Sequence, residues 1–348
     1  MQEAWGTGVL SQIKHIGIWA SKDYYLMPQS MASDGKYLLA TAFYSQVDES
    51  SPDKPGKVVM ADITTGQITE IYSTKVGGIV PYGVTGDESW VVWSQAPKEP
   101  GFFSDWEMYA YNRAERSIRL IASAPKDKGG LPAIGSDGSA HVDHGRVVWS
   151  ETVPDQGDTS RNIVKKLVLD TGEITTLSEN GYVPVISWPY VAWLQVAEQT
   201  TPEGSTPAQQ GIDLEIITLN LESGAKKTLH GPRQPIGFAL RKDSVIWIST
   251  DGRQLVLTNI EETFEQIVAV AQTAEPFSEP SIDDRFITWG GQPSAHVWDR
   301  KKNSLVTIVS DTVARRFVGA GMLVWDGPAS DLPGAAYGIQ VLDTTKLP

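Results

Sequence analysis

Three residues with the makings of chemistry fall within four positions in His141-Val142-Asp143-His144. Strand alternation places His141 and Asp143 on one face, with His144 in the turn that follows. Three N/O ligands from so short a run can hold a divalent metal. The chain has only five histidines, and His15, His230 and His296 stand at no ligand spacing from this pair. Two readings therefore remain: a metal site on His141, Asp143 and His144, or a solvated turn, which the shortage of further ligands favours. Nothing else in the chain asks for a cofactor.

A second candidate is the aromatic group Phe102, Phe103 and Trp106, in a Pro- and Gly-containing loop with Glu99 and Asp105. Exposed aromatics rimmed by acids suit a contact site for a partner. The same rings can instead fold down as the private core of the loop. Acids also recur before apolar runs, at Asp34, Asp87, Asp143, Asp243 and Asp283/Asp284. Paired carboxylates can hydrolyse glycosides. Acids repeated at matching offsets are better read as turn formers, because a catalytic pair should break the repeat. No GxSxG elbow, Walker loop, HExxH or dinucleotide fingerprint occurs.

The elements that must position these residues repeat. Six apolar runs carry Trp at one place: Trp93, Trp149, Trp193, Trp247, Trp289 and Trp325. A seventh run, KYLLATAF, comes first and has Ala40 there. Steps between these positions range from 36 to 56 residues. Repeats of about 40–50 residues built from short strands mark a β-propeller. Each unit reads as four strands. In the second, Trp90–Ser94, Glu107–Tyr111 and Ser117–Ala122 follow the strand that ends at the Asp87-Glu88 turn. Tight turns such as Asp62-Ile63-Thr64-Thr65-Gly66 and Leu169-Asp170-Thr171-Gly172 join third strands to fourth.

The expectation is all-β: seven four-stranded antiparallel blades at about 21–73, 74–123, 124–178, 179–230, 231–271, 272–310 and 311–348, forming one domain. The last unit is one strand short, and residues 1–20 hold a spare strand in IKHIGIWA that can close the ring. The recurring Trp is expected between blades, where an indole buries the most surface.

The G-R-V-V-W type of second strand, followed by a D-x-x-T-G turn and a short closing strand, resembles the bacterial TolB-like and WD40-like propeller repeats. The resemblance spans nearly the whole chain and implies a scaffold fold. It does not by itself imply an activity. The helical-sheet domain that precedes the propeller in TolB has no counterpart here.

Composition narrows the function. The net charge is −13 and no Lys/Arg-rich run occurs, so neither nucleic acid nor anionic lipid is an expected partner. Cysteine is absent, which removes disulfides and thiolate sites. No apolar stretch approaches the ~20 residues of a membrane span. An extracellular or periplasmic place is expected, with any leader lost before residue 1; a cytosolic one fits the composition as well. The second-to-third loops carry −9 of the −13 and nearly all the length variation. The leading expectation is a non-catalytic, monomeric propeller that binds a protein, peptide or glycan on that face. The alternative is an enzyme, a metal-assisted polysaccharide lyase or a hydrolase, at the ring centre with Tyr82, Arg233 or Arg315 nearby. A third is the propeller part of a longer protein.

Overall fold

The computed structural model describes residues 14–16, 24–44, 54–97, 104–133, 135, 138–154, 160–196, 214–229, 235–271, 277–291, 294–309, 316–327 and 338–347. Among them are seven four-stranded antiparallel sheets. Six contain strands consecutive in the chain; the seventh combines Arg316–Gly319, Met322–Gly327 and Gly338–Asp343 with the N-terminal strand Lys14–Ile16. Lys14 faces Val341, His15 faces Gln340 and Ile16 faces Ile339, so the two ends of the chain share one blade and remove an open edge.

First strands touch one another in cyclic order and surround the ring axis. Fourth strands lie outside; Ser117–Ser123 is exposed along most of its length. Second strands are buried at their centres, and Trp90–Gln95 and Ser244–Ile248 along their whole length, because a neighbouring sheet covers each face.

Seven apolar clusters fill the seven gaps between blades. Trp93 packs with Leu39 and Val58 of blade 1, Trp149 with Val92 and Met108 of blade 2, and Trp193 with Val148 and Val164 of blade 3. Trp247, Trp289 and Trp325 repeat the pattern against blades 4, 5 and 6. None of the six is more than 5% exposed. The seventh gap lies between the last blade and the first. Ala40 stands there in place of the indole, among Leu26, Met322, Val324, Ile339 and Val341.

Among the hairpin acids, Asp34 and Asp87 form their own turns and also reach the next blade. Asp87 Oδ1 accepts the amides of Ser89 and Trp90, while Oδ2 accepts that of Gly145 in blade 3 at 2.7 Å. Asp34 pairs with Arg113 of blade 2 at 2.9 Å. Turns between third and fourth strands are capped as expected: Asp62 Oδ1 accepts from Thr64 and Thr65, and Gly66 takes a φ of 73°.

Candidate functional site

Three second strands carry Trp-x-Gln or Trp-x-Glu, which puts both side chains on one sheet face. In blade 3 the Trp149 indole donates to Glu151 Oε2 at 3.1 Å, and Lys165 Nζ binds Glu151 Oε1 at 2.5 Å. In blade 4 the Trp193 indole donates to Gln195 Oε1 at 3.3 Å. Blade 2 breaks the pattern. Gln95 Nε2 donates instead to the Tyr72 hydroxyl of blade 1 at 3.1 Å. Trp93 Nε1 and Gln95 Oε1 are both left buried without a hydrogen-bond partner.

Above this pair lies a pocket of about 230 Å³ between blades 1 and 2. Tyr72, Thr74, Lys75, Val76 and Ile79 line one side, and Gln95, Pro97, Glu107 and Tyr109 the other. Gln95 closes a second strand and Glu107 opens a third, so the pocket opens on the long-loop face. Pairing of Gln95 with Glu107 and of Trp93 with Tyr109 across the sheet brings these groups together. Trp93 and Tyr109 stack at 5.8 Å, and Tyr72 lies 5.1 Å from Trp93. The Tyr109 hydroxyl donates to Glu107 Oε2 at 2.5 Å. Burial, reinforced by that carboxylate, holds the Tyr109 phenol well above its ordinary pKa, so it stays a donor.

The aromatic-loop expectation needs correction at Trp106. Its indole is 1% exposed and packs with Met108 and Trp149 in the gap between blades 2 and 3. Gly138, at φ 69°, seats the ring; a Cβ there would fall 2.3 Å from it. Asp105 is partly exposed and pairs with Lys126 at 3.2 Å. Glu99, Phe102 and Phe103 lie outside the described residues.

The histidine cluster is corrected as well. Among the described residues, no group of three His, Cys, Asp or Glu is placed to hold a metal. Asp143 is already occupied: Oδ1 lies 2.8 Å from His144 Nδ1, and Oδ2 accepts the Trp188 amide of blade 4 at 2.8 Å. His144 stacks on the Trp188 ring at 5.8 Å, and the Arg146 guanidinium lies 4.6 Å from the same ring. The cluster therefore joins two blades. His141 stays apart, on the inner strand Ala140–Asp143. Water reaches its imidazole, but surrounding protein desolvates it and pushes its pKa down to about 4. Tyr82 is on the inner strand of blade 2, while Arg233 and Arg315 lie outside the described residues.

A wider groove of about 670 Å³ lies on the opposite face between blades 5 and 6, lined partly by Phe264, Arg285, Trp298 and Lys301. Arg285 is committed there to Asp299 at 2.6 Å and to the Leu347 carbonyl at 2.9 Å.

No sequence-family model matches the chain, and comparison with curated proteins finds no relative. Solved structures share its fold. The propeller domain of the Trilobed protease from Pyrococcus furiosus, described as having an open velcro topology, superposes with a TM-score of 0.60 at 9% identity, over 93% of this chain and 94% of that one. An oligogalacturonate lyase from Vibrio parahaemolyticus gives 0.56 at 10% identity, over 95% and 93%. TolB from Acinetobacter baumannii gives 0.50 at 9% identity, over 81% of this chain and 65% of that one. The class is therefore a seven-bladed β-propeller. At such identities the likeness extends to the fold alone. Among the described residues, no helix is long and apolar enough to cross a membrane.

Proposed function

We propose that this chain is a ligand-binding propeller that works from its long-loop face at the junction of blades 1 and 2. The observation that carries the reading is the pocket over Gln95, where an indole nitrogen and an amide oxygen are both buried without partners. Stability alone disfavours such a pair, since each orphaned group costs about 1–3 kcal/mol. Blades 3 and 4 avoid that cost with the same residue pattern. The Trp247 and Trp289 nitrogens of blades 5 and 6, whose strands lack the Gln or Glu, are buried without partners as well. What sets blade 2 apart is the unused amide oxygen beside a pocket. Acidic loops on this face draw cationic groups toward it. An extracellular or periplasmic setting goes with this reading.

The test is a thermal-shift screen of amino acids, short peptides, monosaccharides and oligosaccharides against the full chain and Tyr72→Phe. At least one class should stabilise the wild type more than the variant. No response from any class, or equal responses from both proteins, would overturn the assignment.

A second reading rests on His141. An imidazole reached by water and neutral above about pH 4 can act as a general base at the ring axis. Oligogalacturonate, the substrate named for the Vibrio lyase of like fold, is the first to assay. Turnover abolished by His141→Gln would establish this reading; absence of turnover would remove it.

A further inference from the structure

The charges and walls of the blade 1–2 pocket describe a ligand more narrowly, provided that the pocket binds one. Its volume, about 230 Å³, is below the ~300–1,000 Å³ usual for cofactor and drug sites. A pocket of that size suits one compact small molecule. Glu107 supplies a carboxylate on one side, beside the Tyr72 and Tyr109 rings. Carboxylate and aromatic faces together favour an ammonium. Lys75 is exposed and lines the same pocket, giving a cation for an anionic group. Val76, Ile79 and Pro97 form the apolar remainder. A neutral sugar would leave both charges without a counterpart, and a simple amine would leave Lys75 facing it.

We infer that the pocket takes a free α-amino acid with a small apolar side chain, its ammonium held by Glu107 and the Tyr72 hydroxyl and its carboxylate by Lys75. The orphaned pair beneath the pocket gives a reason for the Gln95 contact. If the Gln95 amide leaves Tyr72, that hydroxyl is free for the ligand. Gln95 Oε1 can then accept from Trp93 Nε1, as Gln195 does from Trp193 in blade 4. One hydrogen bond is exchanged for another, so opening the site costs little.

Titration calorimetry of the full chain with neutral amino acids, and with the matching amines and carboxylic acids, tests the inference. One or more amino acids should bind, and each analogue that lacks one charged group should bind at least tenfold more weakly. Lys75→Met, at an exposed position, should leave the melting temperature unchanged and weaken binding about tenfold; Glu107→Gln should do the same for binding. The Trp93 indole N–H resonance should move downfield on binding. Failure of every amino acid, equal binding of the analogues, binding indifferent to both substitutions, or an unmoved Trp93 resonance would overturn the inference. A sugar or basic peptide that binds at Tyr72 would overturn it too, yet leave the broader ligand-binding reading standing; silence from every class would sink both.

Discussion

The indole nitrogen of Trp193 lies 3.3 Å from Gln195 Oε1, two residues along the same strand. Trp93 and Gln95 occupy equivalent places in blade 2, and there the bond is not made. Both glutamines meet a hydroxyl of the preceding blade at 3.1 Å, but Ser178 donates to Gln195 Oε1, whereas Tyr72 accepts from Gln95 Nε2.

Gln195→Leu should cost about 1–3 kcal/mol, because it orphans the buried Trp193 nitrogen and removes the acceptor of the Ser178 hydroxyl. Gln95→Leu should cost less than Gln195→Leu, since its indole already lacks a partner. Denaturant unfolding of the two variants measures the contrast. Equal losses would mean that the blade 2 pair is bonded in solution.

Deletion of residues 1–20 should lower the melting temperature of the whole ring in a single transition. The strand Lys14–Ile16 completes the blade that carries Gly338–Asp343, so its loss bares a row of backbone donors and acceptors. An unchanged melt would show that closure contributes nothing.

Gly138→Ala should be among the more damaging single-methyl changes in the chain. The added Cβ meets the Trp106 ring at 2.3 Å, and φ 69° disfavours any side chain. A loss above about 1 kcal/mol is expected. Gly66→Ala shares the positive φ but meets nothing within 4 Å, so it isolates the backbone part of the cost. Equal losses in urea unfolding would argue that Trp106 is not seated there.

His141 should make the fold acid-sensitive in a defined window. Its pKa is about 4 in the folded ring, against about 6.5 in the unfolded chain. Between these values the unfolded chain binds the extra proton, so stability falls as pH drops from about 6.5 toward 4 and is level above. His141→Gln should flatten that part of the curve relative to wild type. Parallel curves in a pH series of melts would show that the imidazole titrates normally.

The periodic Trp, the hairpin acids and the spare N-terminal strand were legible because a propeller repeats one packing problem. Ala40 was legible as an exception, but its reason was not. It faces the gap between the last and first blades, which closes on Ile339 and Val341. Trp106 looked like an exposed anchor because its loop has no strand pattern. Its seat is Gly138, which follows in the next blade. In the same way, the sequence left Asp143 between a metal ligand and a solvated turn, and its bond to the Trp188 amide 45 residues later was not legible there.

Local pattern determines strands, turns and the apolar side of each sheet, because these depend on neighbours one to four residues away. The pocket over Gln95 depends on Tyr72, from a different blade and with no repeat relation to it. Only the ring, by pressing one blade's edge onto the next, decided which buried polar groups would find partners and which would not.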